Sequence, residues 1–132
     1  MNITEKLKID LSKKLTTKVT ASNTAETIKS GTLPVYATPA MTALMEQAAA
    51  ELIEDLLPDG WTSVGISMNV AHLAASPIDI EISATAKITA IDGRKISYEV
   101  AASDSAGPIG KGIHERFIVD KDKFLQKAQA KL

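Results

Sequence analysis

The stretch TPAMTALMEQAAAELIEDLL, Thr38 to Leu57, is the one long, strongly helical segment away from the C-terminus. Thr38 suits the N-cap and Pro39 the first helical position. Pro58-Asp59-Gly60 stops the helix. At a rotation of about 100° per residue, Met41, Leu44, Met45, Ala48, Ala49, Leu52, Ile53 and Leu56 share one broad face. A face that apolar must be covered by something. Thr42 and Glu46 lie at its margin, and Glu51, Glu54 and Asp55 lie nearer water. A carboxylate on the rim of an apolar stripe has two readings, a half-exposed surface glutamate or a group placed for chemistry.

Outside this helix the pattern changes to period 2. Leu15 to Ala21 alternates with β-branched residues and predicts a strand with Leu15, Thr17 and Val19 inward, or the opposite register. Asn23 to Thr32 reads as a loop with at most one short turn, and Leu33 to Ala37 leads into the helix. Beyond the helix, Val64 to Leu73 predicts a strand with Val64, Ile66, Met68, Val70 and His72 on one face, turned to the core, and Gly65 on the other. Asp79 to Ile91 alternates most cleanly, with Ile80, Ile82, Ala84, Ala86, Ile88 and Ala90 inward. Asp92-Gly93 is a strong hairpin signal, and Ile96, Tyr98, Val100 and Ala102 continue the inward set. After a turn at Asp104 to Pro108, a last strand, Ile109 to Val119, places Gly110, Gly112, His114, Arg116 and Ile118 on one face. Asp120 to Leu132 is a short polar helix capped by Asp120 or Asp122.

The order is strand, loop, long helix, then four antiparallel strands, an α+β arrangement in which a twisted sheet wraps one helix. The 132 residues are expected to form one domain, 1–132, with a hydrophobic fraction of 45% and a charged fraction of 23%. Net charge is −1 and aromatic residues are few, so neither a basic field nor a stacking surface points to nucleic acid or anionic lipid. The chain has no cysteine, which excludes thiol catalysis, thiolate metal sites and disulfides. The N-terminal stretch MNITEKLKIDLSKK interleaves charges with single apolar residues, unlike a signal peptide, and no run approaches the roughly 20 apolar residues of a membrane span. The expected compartment is the cytoplasm. Glycines at 110 and 112 on an edge strand suggest close backbone approach, for example to a second subunit in a dimer.

Several catalytic patterns fail. Gly65-Ile-Ser67-Met-Asn69 lacks the last glycine of a nucleophile elbow. Gly110-Lys-Gly112 lacks the rest of a phosphate loop. His72 and His114 have no paired ligand spacing, so no metal is expected. What remains is a constellation for the fold to assemble: Thr38 at a helix start, Glu46 at the helix margin and His72 at a strand end. A carboxylate can orient a histidine, a helix N-terminus or a glycine such as Gly65 can offer N–H groups to an oxyanion, and a threonine hydroxyl can attack or hold water. Together these suit acyl transfer or hydrolysis. Each has an ordinary reading as well: an N-cap, a surface glutamate, and a core-edge histidine bonded to a carbonyl.

V-Y-A-T-P-A-M-x-x-L-M-E (Val35 to Glu46), S-V-G-x-x-x-N-V-x-H-L-A-A-S-P (Ser63 to Pro77), I-D-G-R (Ile91 to Arg94) and I-G-K-G-x-H-E-R-F (Ile109 to Phe117) together resemble the hot-dog thioesterases related to fluoroacetyl-CoA thioesterase. The resemblance covers nearly all of the chain after about residue 15, in matching order. It implies a hot-dog fold, two subunits joined edge to edge, and acyl-CoA hydrolysis with no cofactor beyond the coenzyme A thioester substrate. It assigns catalysis to Thr38, Glu46 and His72 and a substrate contact to Gly65, and its motif arginine falls on Arg116, a candidate for gripping the coenzyme A part because a guanidinium suits phosphate oxygens. The fluoroacetyl-specific member has aromatic residues in the segment before its threonine, resembling a lid, whereas Lys29 to Pro34 has none. A general short-chain acyl-CoA hydrolase is therefore expected. The alternatives on the same scaffold are a non-catalytic acyl-CoA binding or sensing domain, and a dehydratase or isomerase.

Overall fold

The computed structural model describes residues 2–132; Met1, the first residue of the expected domain, lies outside them. Strand β1 (Ser12–Lys18) precedes one helical turn, α1 (Ala25–Ile28), and the long helix α2 (Thr38–Glu54). Strands β2 (Trp61–His72), β3 (Glu81–Asp92), β4 (Lys95–Asp104) and β5 (Gly107–Asp120) follow, and α3 (Lys121–Gln129) closes the chain. The strands form one antiparallel sheet in the order β1-β3-β4-β5-β2. Helix α2 packs across one face of this sheet, the hot-dog arrangement.

The apolar face of α2 is the face that packs. Met41, Met45, Ala48, Ala49 and Ile53 are fully buried, with Leu44 and Leu52 partly covered at the margins and Leu56 packed just past the helix end. Opposite them lie Ile82, Ala84, Ala86 and Ile88 of β3 and Ile96, Tyr98, Val100 and Ala102 of β4, as the alternation predicts. Small residues on β3 and β4 let the helix approach the sheet, while the Met and Ile side chains fill the remaining space. Asp92 pairs with Lys95 across the expected hairpin, where Gly93 takes a φ of +60°. Asp120 caps α3, accepting from the Lys123 N–H at 3.1 Å.

Two expected faces are corrected by β-bulges. In β3 the register slips between Ile88 and Ala90, so Ala90 is exposed and Ile91 packs against the core. In β2, Gly65 pairs with Arg116 and Ser67 with the next residue, Glu115, which leaves Ile66 extra and 51% exposed. A bulge reverses the parity of every residue beyond it. Met68, Val70 and His72 face α2 as expected, but before the bulge the helix-facing residues are Ser63 and Gly65, and Val64 turns outward beside Phe117.

The sheet order also corrects the reading of β5 as an edge. It lies between β4 and β2, and its glycines serve contacts within the chain. A Cβ on Gly110 would come within 2.5 Å of the Met41 sulfur, and one on Gly112 would strike the Asn69 carbonyl oxygen. Gly112→Ala therefore forces backbone apart, and we expect it to cost about 1–3 kcal/mol of stability, read as a lower denaturant midpoint at unchanged slope.

Candidate active site

Backbone clamps bring the start of α2 beside the end of β2. The Leu73 N–H donates to the Ile109 carbonyl at 2.6 Å, and the Tyr36 N–H to the Ser76 carbonyl at 2.9 Å. The buried Ser76 hydroxyl donates to the Asp104 carboxylate at 2.7 Å, tying this corner to the β4–β5 turn. Thr38 and His72, 34 residues apart, are thereby set side by side, with Thr38 Oγ1 2.7 Å from His72 Nδ1. Thr38 is not the N-cap. That position belongs to Ala37, which has no side-chain cap, and Thr38 is the first helical residue. Its hydroxyl is given to the histidine instead of to the helix.

Burial pushes the His72 imidazole below its ordinary pKa, opposed in part by the backbone at Ala74. Its Nε2 is buried with no hydrogen-bond partner among the described residues. Burial thus favours the neutral ring, and in its Nε2-protonated tautomer Nδ1 accepts from the Thr38 hydroxyl. A hydroxyl on a neutral imidazole is the arrangement that nucleophilic or general-base chemistry requires.

Glu46 lies two turns further on, about 12 Å along the helix axis. Its Oε2 is 3.8 Å from Arg116 Nη1, and it rests on Gly65, where a Cβ would come within 2.8 Å of that oxygen. Arg116 is only 7% exposed. Its Nε donates to Ser63 Oγ at 2.8 Å, its Nη2 to the Ser63 carbonyl at 3.0 Å, and its Nη1 lies 3.3 Å from His114 Nε2. The side chain expected to grip coenzyme A is held beneath Glu46 by protein acceptors.

The structure thus brings together Thr38 and His72, and separately Glu46, Gly65 and Arg116; within one chain it does not join the two groups. Ser63 and His114 complete the second group and were not among the expected site residues. Strand parity had already placed His114 on the face of Arg116, whereas Ser63 was hidden by the bulge. Beside Thr38 and His72 opens a cavity of about 300 Å³, walled by Ala25, Ser30, Val35, Tyr36 and Leu73 to Ala75. Among the described residues, no three His, Asp or Glu side chains cluster to hold a metal ion.

Residues 19–122 match the family described as fluoroacetyl-CoA-specific thioesterase. A relative, fluoroacetyl-CoA thioesterase from Streptantibioticus cattleyicolor, is 36% identical over 97 residues, covering 74% of this chain and 70% of that protein. A solved structure of a fluoroacetyl-CoA thioesterase superposes with a TM-score of 0.89 at 29% identity, over 96% of this chain and 98% of that one. A hot-dog-like protein from Thermanaerovibrio acidaminovorans gives 0.91 at 24% identity, over 100% of this chain and 98% of its own, a likeness of fold alone.

Two outcomes follow from the site's geometry. Gly65→Ala drives the Glu46 carboxylate off Arg116, and a crystal structure of the variant will show the pair separated. In an NMR titration, His72 and His114 both have midpoints below the ordinary imidazole value of 6.5. The unfolded chain then binds more protons than the folded one just below that value, so stability falls as pH drops from 6.5 through the lowered folded values.

Proposed function

The chain belongs to the fluoroacetyl-CoA-specific thioesterase family, and we propose that it hydrolyses a small acyl-CoA thioester to the free acid and coenzyme A through Thr38, His72 and Glu46. The observation that carries this reading is the 2.7 Å contact of Thr38 Oγ1 with His72 Nδ1 at the mouth of a cavity. His72 takes a proton from the Thr38 hydroxyl or from a water that Thr38 holds, and the oxygen attacks the thioester carbonyl carbon. The carbonyl oxygen becomes an oxyanion, for which the free N–H groups of the first turn of α2, uncapped by any side chain, are the donors we assign. The C–S bond then breaks and the imidazolium returns its proton to the departing thiolate. If Thr38 is acylated, water repeats the cycle on the ester. The reaction needs no cofactor, and a cysteine-free chain acting on coenzyme A thioesters suits the cytoplasm.

Small side chains wall the cavity at Ala25, Ala74 and Ala75, and Lys29 to Pro34 has no aromatic residue to close it. This supports short acyl groups in general over fluoroacetyl alone.

The separation of Glu46 from His72 supports a homodimer. Edge strand β1 is guarded by Lys13, Lys14 and Lys18, whereas the other edge, β2, has no Lys, Arg, Asp, Glu or Pro along its 12 residues. Two β2 strands pairing antiparallel about a two-fold axis near Met68–Asn69 would place His72 of one copy opposite Gly65 of the other. Glu46 of the second copy would then come alongside Thr38 and His72 of the first, and each dimer would carry two shared sites.

A panel of short acyl-CoA substrates with thiol detection tests the activity. Thr38→Ala and His72→Ala should each lower kcat by about 10²- to 10⁴-fold. Ligand-induced stabilisation without release of thiol would instead favour a binding domain. Co-refolding a Thr38→Ala chain with a Glu46→Ala chain tests the sharing: a shared site regains about a quarter of wild-type activity, since half the dimers are mixed and each holds one intact site, and a site within one chain regains none.

A further inference from the structure

His114 stands on β5 two residues before Arg116, 1% exposed, its ring stacked on Tyr98 with centroids 5.7 Å apart. Its Nδ1 is 2.8 Å from the Ser67 carbonyl oxygen. A carbonyl only accepts, so Nδ1 bears the proton. Ser67 follows the bulged Ile66, where disruption of the ladder leaves a carbonyl within reach of a side chain. His114 Nε2 faces Arg116 Nη1 at 3.3 Å, and a guanidinium only donates. The ring is thereby confined to one tautomer and one charge. An imidazolium would set N–H against N–H.

The same Nη1 approaches Glu46 Oε2 at 3.8 Å. The contacts run from the Ser67 carbonyl through His114 and Arg116 to the carboxylate on the rim of α2. We propose that His114 is a positioning residue: as an obligate neutral acceptor it fixes the Nη1 end of Arg116 and, through it, the placement of Glu46 over Gly65. Burial pushes the His114 pKa down, aided by Arg116, against the Ser67 carbonyl, Glu46 and Glu115. Nothing in the hydrolytic steps requires His114 to touch substrate. The inference rests on the reading of Glu46 as part of the hydrolytic site.

Two variants separate positioning from packing. In His114→Gln the amide oxygen can take the place of Nε2 as acceptor for Arg116. In His114→Asn the shorter amide can still donate to Ser67 but leaves Arg116 without its acceptor. Both give up the ring stacked on Tyr98, so both lower Tm. The expected result is kcat about 10- to 100-fold lower in His114→Asn with KM within about twofold, and His114→Gln within about threefold of wild type. Equal kcat losses in the two variants, or none in either, overturn the positioning role. The ¹⁵N shifts of the wild-type imidazole give a readout independent of turnover. A protonated Nδ1 and bare Nε2 at neutral pH support the contact chain, and the opposite tautomer or a charged ring overturns it. A wild-type protein that hydrolyses no acyl-CoA, whatever its spectrum, overturns instead the functional reading beneath the proposal.

Discussion

One extra residue in β2 decides how the site is built. Gly65 and His72 are seven positions apart, and in a regular strand they would point to opposite faces. With Ile66 pushed out of the ladder, Ser63 and Gly65 at one end of β2 and Met68, Val70 and His72 at the other all face α2. The same irregularity offers the Ser67 carbonyl to His114. The helix therefore meets polar chemistry at two places: His72 beside Thr38 at its first turn, and the cluster at Ser63, Gly65, His114 and Arg116 beside Glu46.

These two places differ in physical character. The Arg116 cluster is buried, and a guanidinium in a small apolar domain costs several kcal/mol unless its donors are met. Ser63 takes two of them, while His114 and Glu46 face the Nη1 end. A buried network satisfied to that degree is rigid, because each rotamer is held by the others. The Thr38–His72 pair lies at the edge, with Thr38 exposed, His72 half-buried and an open cavity beside them. Within one chain the two places stay apart along α2, one rigid and enclosed, the other accessible.

Most of the architecture was legible in the sequence because burial leaves a periodic trace. The apolar stripe of α2, the alternation of β3 and β4 and the turn at Asp92-Gly93 each encode local geometry, and the structure follows them. The errors at Val64, Ile66 and Ala90 share one cause. Parity counting assumes an unbroken ladder, and bulges carry no strong signature in residue type. The assignment of Thr38 as a cap failed for a related reason. A threonine before a proline suits a cap, but its hydroxyl was claimed by a partner 34 residues away.

The sequence by itself determined the elements, the buried faces and, through resemblance, the family. These depend on local periodicity and on motifs whose order survives along the chain. Only the tertiary structure decided which of those residues meet. Whether Arg116 lies open or under Glu46, and whether Glu46 joins His72 within the chain, depends on strand register and on where β2 crosses α2. Those are distances set by packing between segments far apart in sequence, and no local pattern records them.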